Sequence, residues 1–123
     1  MANRLNAMVT YPRLTVYSEE NFLGRSAIFR GNLGIRNLDT RLGGIESLKF
    51  FSTSSNATLV LFTRTNFRGN FRVFRGNTNI RDLDDIIGGN DAESLISTNV
   101  RLSLEEIRAI RDSGSLPSGY RLL

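Results

Sequence analysis

Few side chains in this sequence are suited to catalysis. The chain of 123 residues contains no cysteine and no histidine. Their absence excludes disulfides, thiolate nucleophiles, thiolate or imidazole zinc sites, and the side chain most often used for proton transfer near neutral pH. A pair of carboxylates could still do acid–base chemistry, but only in a cleft that shifts the pKa of one of them. We therefore expect a protein that is not an enzyme.

The basic residues are the second chemically informative set. Sixteen basic residues accompany twelve acidic ones, the net charge is +4, and Lys49 is the only lysine. Arginine pairs with carboxylates and phosphates through a planar fork and stacks on aromatic rings. The composition fits either a polyanion binder or a surface held together by arginine–carboxylate pairs. The acids are interspersed among the bases without long runs of like charge, which favours the second interpretation.

One segment keeps the polyanion alternative open. Arginine and phenylalanine are interleaved between residues 64 and 75, and this combination suits single-stranded nucleic acid, where phosphate contacts and base stacking combine. The residues concerned are Arg64, Arg68, Arg72, Arg75, Phe67, Phe71 and Phe74. The same segment also belongs to an internal repeat, so we expect nucleic acid not to be the partner.

The repeat becomes visible when the chain is shifted by 45 residues. Residues 17–44 align without gaps on residues 62–89, and nearly half of the positions are identical. Beyond this block the second copy has gained Asn90 and Asp91. Two copies of one supersecondary unit therefore follow each other.

The residue pattern of both copies indicates β-structure. Short segments rich in β-branched and aromatic residues, such as LTVYS and ATLVLFT, alternate with turns rich in Gly, Asn, Asp and Ser. Such spacing is typical of an antiparallel sandwich. Helical periodicity begins only at Ser103, where Glu106 completes a capping box and Gly114 ends the pattern. The sequence thus predicts an all-β fold with a short C-terminal helix.

An aromatic residue in each copy is followed five positions later by Phe and seven positions later by Gly, and a serine closes each unit. The residues are Tyr17, Phe22, Gly24 and Ser47 in the first copy, and Phe62, Phe67, Gly69 and Ser94 in the second. This arrangement resembles the Greek-key signature of the βγ-crystallins, microbial type, in which two motifs form one domain. The resemblance implies a domain at about 13–102, with motif one at about 13–52 and motif two at about 57–102.

The motif spacing has a physical interpretation. We expect a hairpin that folds back over the sheet, with its aromatic ring lying on the glycine, where a Cβ would collide with the ring and φ is positive. The later serine, Ser47 or Ser94, would hydrogen-bond backbone groups that the folded hairpin leaves unpaired.

The resemblance also raises calcium binding, since many microbial βγ-crystallins bind two Ca²⁺ ions through Asn/Asp-Asn/Asp-x-x-Ser/Thr-Ser. This sequence departs from the pattern. Glu46 and Glu93 stand where Ser or Thr belongs, and the first acidic pair is missing. Asn90 and Asp91 could serve the second site if their loop shifts by one residue. Backbone carbonyls near Glu19 and Arg64 could complete the sites. We expect degenerate sites that bind Ca²⁺ weakly and unequally or not at all, and no required cofactor.

Two extensions flank the repeat. Residues 1–12 contain RLNAMVTYP, which could add an edge strand before Pro12. Residues 103–123 hold the helix and a tail. A helix of about nine residues is unstable alone, so its apolar stripe must dock either on its own domain or on another chain. We expect self-association through these two extensions.

These features favour a non-catalytic structural protein with a stress- or dormancy-related role, as suggested for spore- and cyst-linked microbial βγ-crystallins. A calcium-binding module is the main alternative. An inhibitory module is a weaker one, because comparable secreted relatives are rich in disulfides. The sequence has no apolar run of membrane-spanning length and no signal-like start, so we expect a cytoplasmic protein without membrane contact.

Overall fold

A computed structural model describes residues 10–123, so most of the expected N-terminal edge strand lies outside the described residues. Residues 10–123 form nine strands and one α-helix. They are β1 (Arg13–Glu19), β2 (Leu23–Arg30), β3 (Leu33–Ile35), β4 (Ser47–Phe51), β5 (Thr58–Arg64), β6 (Arg68–Arg75), β7 (Thr78–Ile80), β8 (Ser94–Thr98), α1 (Leu104–Ser113) and β9 (Arg121–Leu122). Short 3₁₀ turns occupy Glu20–Phe22 and Leu38–Thr40.

The strands form two sheets that exchange one strand each. The first sheet has the order β2-β1-β4-β7, and the second has the order β6-β5-β8-β3-β9. Motif one therefore contributes β3 to the second sheet, and motif two contributes β7 to the first. Both exchanged strands pair antiparallel with their new neighbours, β3 with β8 and β7 with β4. The predicted sandwich of two Greek-key motifs with a short C-terminal helix is confirmed.

The main core lies between the two sheets. Alternate residues of each strand point inward, and Leu14 and Val16 of β1 meet Leu59 and Leu61 of β5 in one buried cluster. These residues occupy the positions that the period-two pattern assigns to one face. The exchanged strands add Leu33 and Ile80 to the same cluster, so the core joins both motifs.

A second buried cluster covers the outer face of the second sheet. Val60, Phe62 and Ile96 point away from the main core and pack against Ile107 and Ile110 of α1. The helix begins with a complete capping box and ends at a glycine with left-handed φ. Its apolar stripe thus docks on its own domain. Within residues 10–123, no helix is long and apolar enough to cross a membrane.

The outer face of the first sheet has no such cover among the described residues. Shifting by the repeat places Thr15 where the second sheet has Val60, and Lys49 where it has Ile96. The Lys49 ammonium lies 4.7 Å from the centroid of the Phe22 ring. The two repeats therefore share a backbone but differ in their outer faces: one has Thr15 and Lys49 at positions where the other has apolar residues that receive the helix.

An asparagine clamp joins the loops at one end of the sandwich. Asn32 Oδ1 accepts a hydrogen bond from Asn99 N, and the repeat-related Asn77 Oδ1 accepts one from Ser52 N, each at 2.8 Å. Ser52 Oγ also bonds Asn99 Oδ1 at 2.5 Å. Asn32 and Asn77 immediately precede the exchanged strands β3 and β7, so the clamp fixes the points at which the chain changes sheet.

Truncating Ile107 should show that α1 belongs to the folding unit. Ile107 is fully buried, whereas Leu104 in the same helix is 46% exposed. We expect Ile107→Ala to lower the free energy of unfolding by about 2–4 kcal/mol, because it leaves a cavity under the helix. Leu104→Ala is the matched control and should change it by no more than about 0.5 kcal/mol. Urea denaturation measures both. A loss for Ile107→Ala as small as that for the control would show that packing of the helix adds little to the free energy of unfolding.

Candidate functional site

Each motif folds its first hairpin through two residues with left-handed backbone. In motif one these are Asn21 and Phe22, both with φ 61°. In motif two they are Asn66 with φ 59° and Phe67 with φ 62°. Asparagine adopts this region readily, but a bulky residue such as phenylalanine does so only where surrounding contacts enforce it. Both hairpins therefore need an external restraint.

The closing serine of each motif supplies that restraint. Ser47 Oγ accepts a hydrogen bond from Phe22 N at 3.0 Å and donates one to the Glu19 carbonyl at 2.6 Å. Ser94 Oγ bonds Phe67 N and the Arg64 carbonyl at the same distances. Both serines are fully buried. One hydroxyl thus satisfies a donor and an acceptor on opposite sides of each turn.

The motif aromatics pack edge to face in both hairpins. The rings of Tyr17 and Phe22 have centroids 5.7 Å apart, and those of Phe62 and Phe67 are 5.9 Å apart. This geometry is favoured by the ring quadrupole. The second pair lies beneath α1 and is buried, whereas the first pair is half-buried beside Lys49.

The expected reason for the motif glycines is wrong in one respect. Gly24 and Gly69 do have positive φ, at +81° and +86°. A Cβ on either, however, would collide with the side chain of the residue six positions earlier, and not with a ring. The ring contact belongs to Gly34 in β3, where a Cβ would lie 2.7 Å from Cζ of Phe67. The motif spacing gave no signal for Gly34, because it lies in the other motif.

Three carboxylates gather at the end of the first sheet where β1 meets its hairpin. Oxygens of Glu20, Glu46 and Asp84 lie within 4.8 Å of one another. Glu20 opens the 3₁₀ turn after β1, and Glu46 directly precedes the buried Ser47. Asp84 comes from motif two, and the neighbouring Leu83 N donates to the Glu46 carbonyl at 2.9 Å. The group therefore spans both motifs.

These carboxylates repel one another. The pKa of Glu46 is raised, first by partial burial and then by the charges of Asp84, Glu20 and Asp82. The pKa of Asp84 is raised by burial and then chiefly by the charges of Asp91 and Asp82, whereas its hydrogen bond with Glu46 lowers it. Among the described residues, every charge that acts on the pKa of Glu46 is negative. The site is thus an acidic cluster whose repulsion a cation or a proton would relieve.

Solved structures with the same architecture identify the fold. No protein-family model and no curated protein matches the chain. A structure described as "Evolution of the eye lens beta-gamma-crystallin domain fold" matches with TM-score 0.53 and 25% identity, over 72% of this chain and 87% of that one. The chain has the βγ-crystallin domain fold. Spherulin 3a from Physarum polycephalum matches with TM-score 0.52 and 21% identity, over 74% and 86% of the two chains. A βγ-crystallin from an archaeon matches with TM-score 0.51 and 20% identity, over 72% and 99%.

A weaker version of the acidic cluster lies at the repeat-related site of this βγ-crystallin fold. Glu93 and Asp39 occupy the positions related to Glu46 and Asp84, and Leu38 N donates to the Glu93 carbonyl at 2.9 Å. Burial raises the pKa of Glu93, followed by the charge and hydrogen bond of Asp39. Thr65, however, stands where the first cluster has Glu20. The two repeat-related sites are therefore unequal in charge.

Asn90 and Asp91 lie apart from the three-carboxylate group. Asn90 Nδ2 donates to the Ile87 carbonyl at 3.3 Å, and Asp91 Oδ1 accepts from Asp85 N at 3.1 Å. The charge of Asp91 raises the pKa of Asp84 at the first site and of Glu93 at the second. Sequence reasoning placed Glu46 at a candidate site but missed Glu20 and Asp84. The shared aspartate of the repeat, Asp39 and Asp84, was the available signal.

The surface formed by residues 10–123 is not held together by arginine–carboxylate pairs, contrary to the expectation from composition. Among the described residues a single ion pair forms, Arg111–Asp112 at 3.3 Å. Arginines donate to backbone carbonyls instead: Arg72 to Ile86 at 3.0 Å and Arg75 to Leu102 at 2.7 Å. These bonds use two of the arginines that suggested nucleic-acid binding. Phe67 of the same set is buried, and Phe71 and Phe74 pack against the two buried clusters.

Replacing Ser94 should test the restraint on the hairpin. Ser94→Ala leaves Phe67 N and the Arg64 carbonyl without their partner, so we expect the free energy of unfolding to fall by about 2–3 kcal/mol. Ser97 in the same strand is equally buried, but its hydroxyl has no hydrogen-bond partner among the described residues. Ser97→Ala should therefore be neutral or stabilising. Thermal and chemical unfolding of both variants measures the difference, and a reversed ranking would contradict this role for Ser94.

Proposed function

We propose that this chain is a non-catalytic structural βγ-crystallin whose stability responds to cations bound between its two motifs. The observation that supports this most directly is the cluster of Glu20, Glu46 and Asp84. Its carboxylates come from both motifs, and burial followed by the charges of neighbouring carboxylates raises the pKa of Glu46 and of Asp84. A cation there would replace repulsion between the motifs with attraction.

The chemistry of the cluster favours Ca²⁺. Its donors are carboxylate oxygens, and Ca²⁺ takes six to eight oxygen ligands in flexible geometry. Glu20 and Asp84 are exposed and Glu46 is half-buried, so a bound ion would keep water among its ligands. Three carboxylates on an open surface support weak binding. The second site, with Glu93 and Asp39 alone, would bind more weakly still.

A catalytic role has little support from this geometry. The carboxylates lie at an exposed end of the sheet and not in a cleft that would separate their roles as acid and base. A polar cavity is lined by Thr63, Arg64, Gly69, Asn70 and Asn90. It contains no carboxylate, imidazole or thiol. A stable, ion-responsive domain is the simpler function.

A stress- or dormancy-related role is the physiological form of this proposal. Its support is the resemblance to microbial βγ-crystallins linked to dormancy, together with a cluster that would couple stability to divalent ions. Self-association through the terminal extensions also stays a proposal. The helix offers no free apolar stripe for it, because Ile107 and Ile110 are buried in the domain. Residues 1–9 lie outside the described part of the chain.

The pH dependence of stability follows from the raised pKa values of Glu46 and Asp84. At pH values between the ordinary carboxyl pKa of about 4 and the raised values, the folded state binds more protons than the unfolded state. This contribution to stability is therefore largest at acidic pH and is lost as pH rises through the raised pKa values. Glu46→Gln/Asp84→Asn removes the repulsion, so at pH 7 it should be more stable than wild type by up to about 1 kcal/mol.

Unfolding curves from pH 4 to 7 measure this pH effect. The difference between variant and wild type should grow with pH. A difference that is constant across this range would show that the two carboxyls do not interact in the folded state.

Calcium should raise the stability of wild type by mass action. At a Ca²⁺ concentration of about ten times Kd the gain is about 1.4 kcal/mol. Glu46→Gln/Asp84→Asn should lose this gain, whereas the repeat-related control Glu93→Gln/Asp39→Asn should keep most of it. Melting curves and titration calorimetry check both. A wild-type melting temperature that does not change at about 10 mM Ca²⁺ would contradict calcium binding and indicate a purely structural domain.

A further inference from the structure

Five arginines lie at the end of the sandwich opposite the acidic cluster. They are Arg13, Arg30, Arg75, Arg101 and Arg121. In the first sheet Arg13 pairs directly opposite Arg30 across β1 and β2. Arg121 approaches from β9, and its Nη2 donates to the Arg30 carbonyl. Like charges directly opposite each other destabilise a sheet unless something outside the pair compensates.

The other two arginines come from the second sheet at the same end. Arg75 pairs with Thr58, whose other neighbour is Thr98 of β8, and Arg101 follows shortly after β8. The pKa of Arg75 is lowered by burial and then by the charge of Arg101. The asparagine clamp ties the loops of both sheets together here. We call this surface the arginine end.

The arginine end contains no carboxylate. Its loops and strand ends, residues 10–13, 30–33, 51–58, 75–79 and 97–102, include neither Asp nor Glu. Among the described residues none of its five arginines forms an ion pair. Arg30, Arg75, Arg101 and Arg121 are exposed. A concentrated positive charge without a carboxylate partner among the described residues is a surface that attracts anions.

The complementary charge lies at the far end of the same strands. β1 runs over seven residues, about 20 Å, from Arg13 to Glu19. Beyond it lies the acidic end, which we define by Glu20, Glu46, Asp82 and Asp84. Arg81 lies beside the acidic end, since its carbonyl accepts from Asn21 N, but among the described residues no arginine forms an ion pair with these four carboxylates. About 20 Å is too far for the two ends to neutralise each other at physiological salt.

We propose that the arginine end docks on the acidic end of a second copy of this chain, so that copies associate head to tail. Such an interface is heterologous, because two different surfaces meet, and it extends into a ring or a filament according to the rotation between copies. The interface uses the carboxylates of the proposed calcium site but does not require that Ca²⁺ binds there.

The geometry favours a second copy over a nucleic acid. Single strands need open rings for base stacking as well as phosphate contacts. At the arginine end the Phe51 ring is already engaged, by the Arg13 guanidinium at 4.9 Å and by the Tyr11 ring at 5.8 Å. The arginines there have no carboxylate partner among the described residues, and the Phe51 ring is covered, which suits a folded acidic surface.

Charge reversal tests the interface. We expect wild type to self-associate at low salt and to dissociate at about 0.5 M salt, where charges are screened within a few Å. Arg101→Glu and Glu20→Arg, each alone, should weaken association by about tenfold. An equimolar mixture of the two variants should recover pairwise association, because each retains the end that the other has lost. Analytical ultracentrifugation over a range of protein concentrations measures all four samples.

Matched controls locate the effect at the two ends. Arg108→Glu and Glu105→Arg make the same charge changes on the exposed side of α1 and should leave association within about twofold of wild type. Wild type that stays at 13.8 kDa at high concentration and low salt would overturn the proposal. So would variants whose mixture fails to recover association. A wild-type monomer that binds an oligothymidylate, with binding lost in Arg101→Glu, would identify a nucleic acid as the partner instead.

Discussion

The hydroxyl of one buried serine in each motif is the interaction on which the rest of this structure depends. It holds a phenylalanine in the left-handed region by bonding both sides of the turn. Without that bond the hairpin would leave a donor and an acceptor unpaired beside a strained residue. The serine also fixes its predecessor in sequence, Glu46 or Glu93. The acidic sites are therefore positioned by the same bond that folds the hairpin.

Duplication has left the two motifs with one backbone and two sets of surface properties. The outer face of the second sheet is apolar and is covered by the helix, whereas the first sheet has Thr15 and Lys49 at the related positions. The acidic sites differ in the same way, since Glu20 has Thr65 as its counterpart. Identical hydrogen bonds at Ser47 and Ser94 show that the fold did not require these differences. The two motifs therefore differ in what their surfaces can contact and not in how they fold.

The sequence predicts what is local or repeated, and misses what depends on strand exchange. The shift of 45 residues and the capping box at Ser103 were sufficient for the sandwich and the helix. The contact of Gly34 with Phe67 and the approach of Asp84 to Glu46 each join different motifs. They exist because β3 and β7 change sheets, and no spacing within one motif encodes that change. The arginine end was missed for the same reason, since its members are scattered from Arg13 to Arg121.

Strand exchange also imposes an order on folding during synthesis. β3 leaves the ribosome early, but its neighbours in the second sheet are β8 and β9. The nearer of the two in sequence, β8, begins only at Ser94. At 5–20 residues per second, the ribosome needs several seconds to cover that distance. Leu33 and Ile35 must wait that long for burial. The exchanged strand is only three residues long, so a nascent chain exposes little apolar edge to its neighbours on a polysome, and a longer β3 would lose that protection.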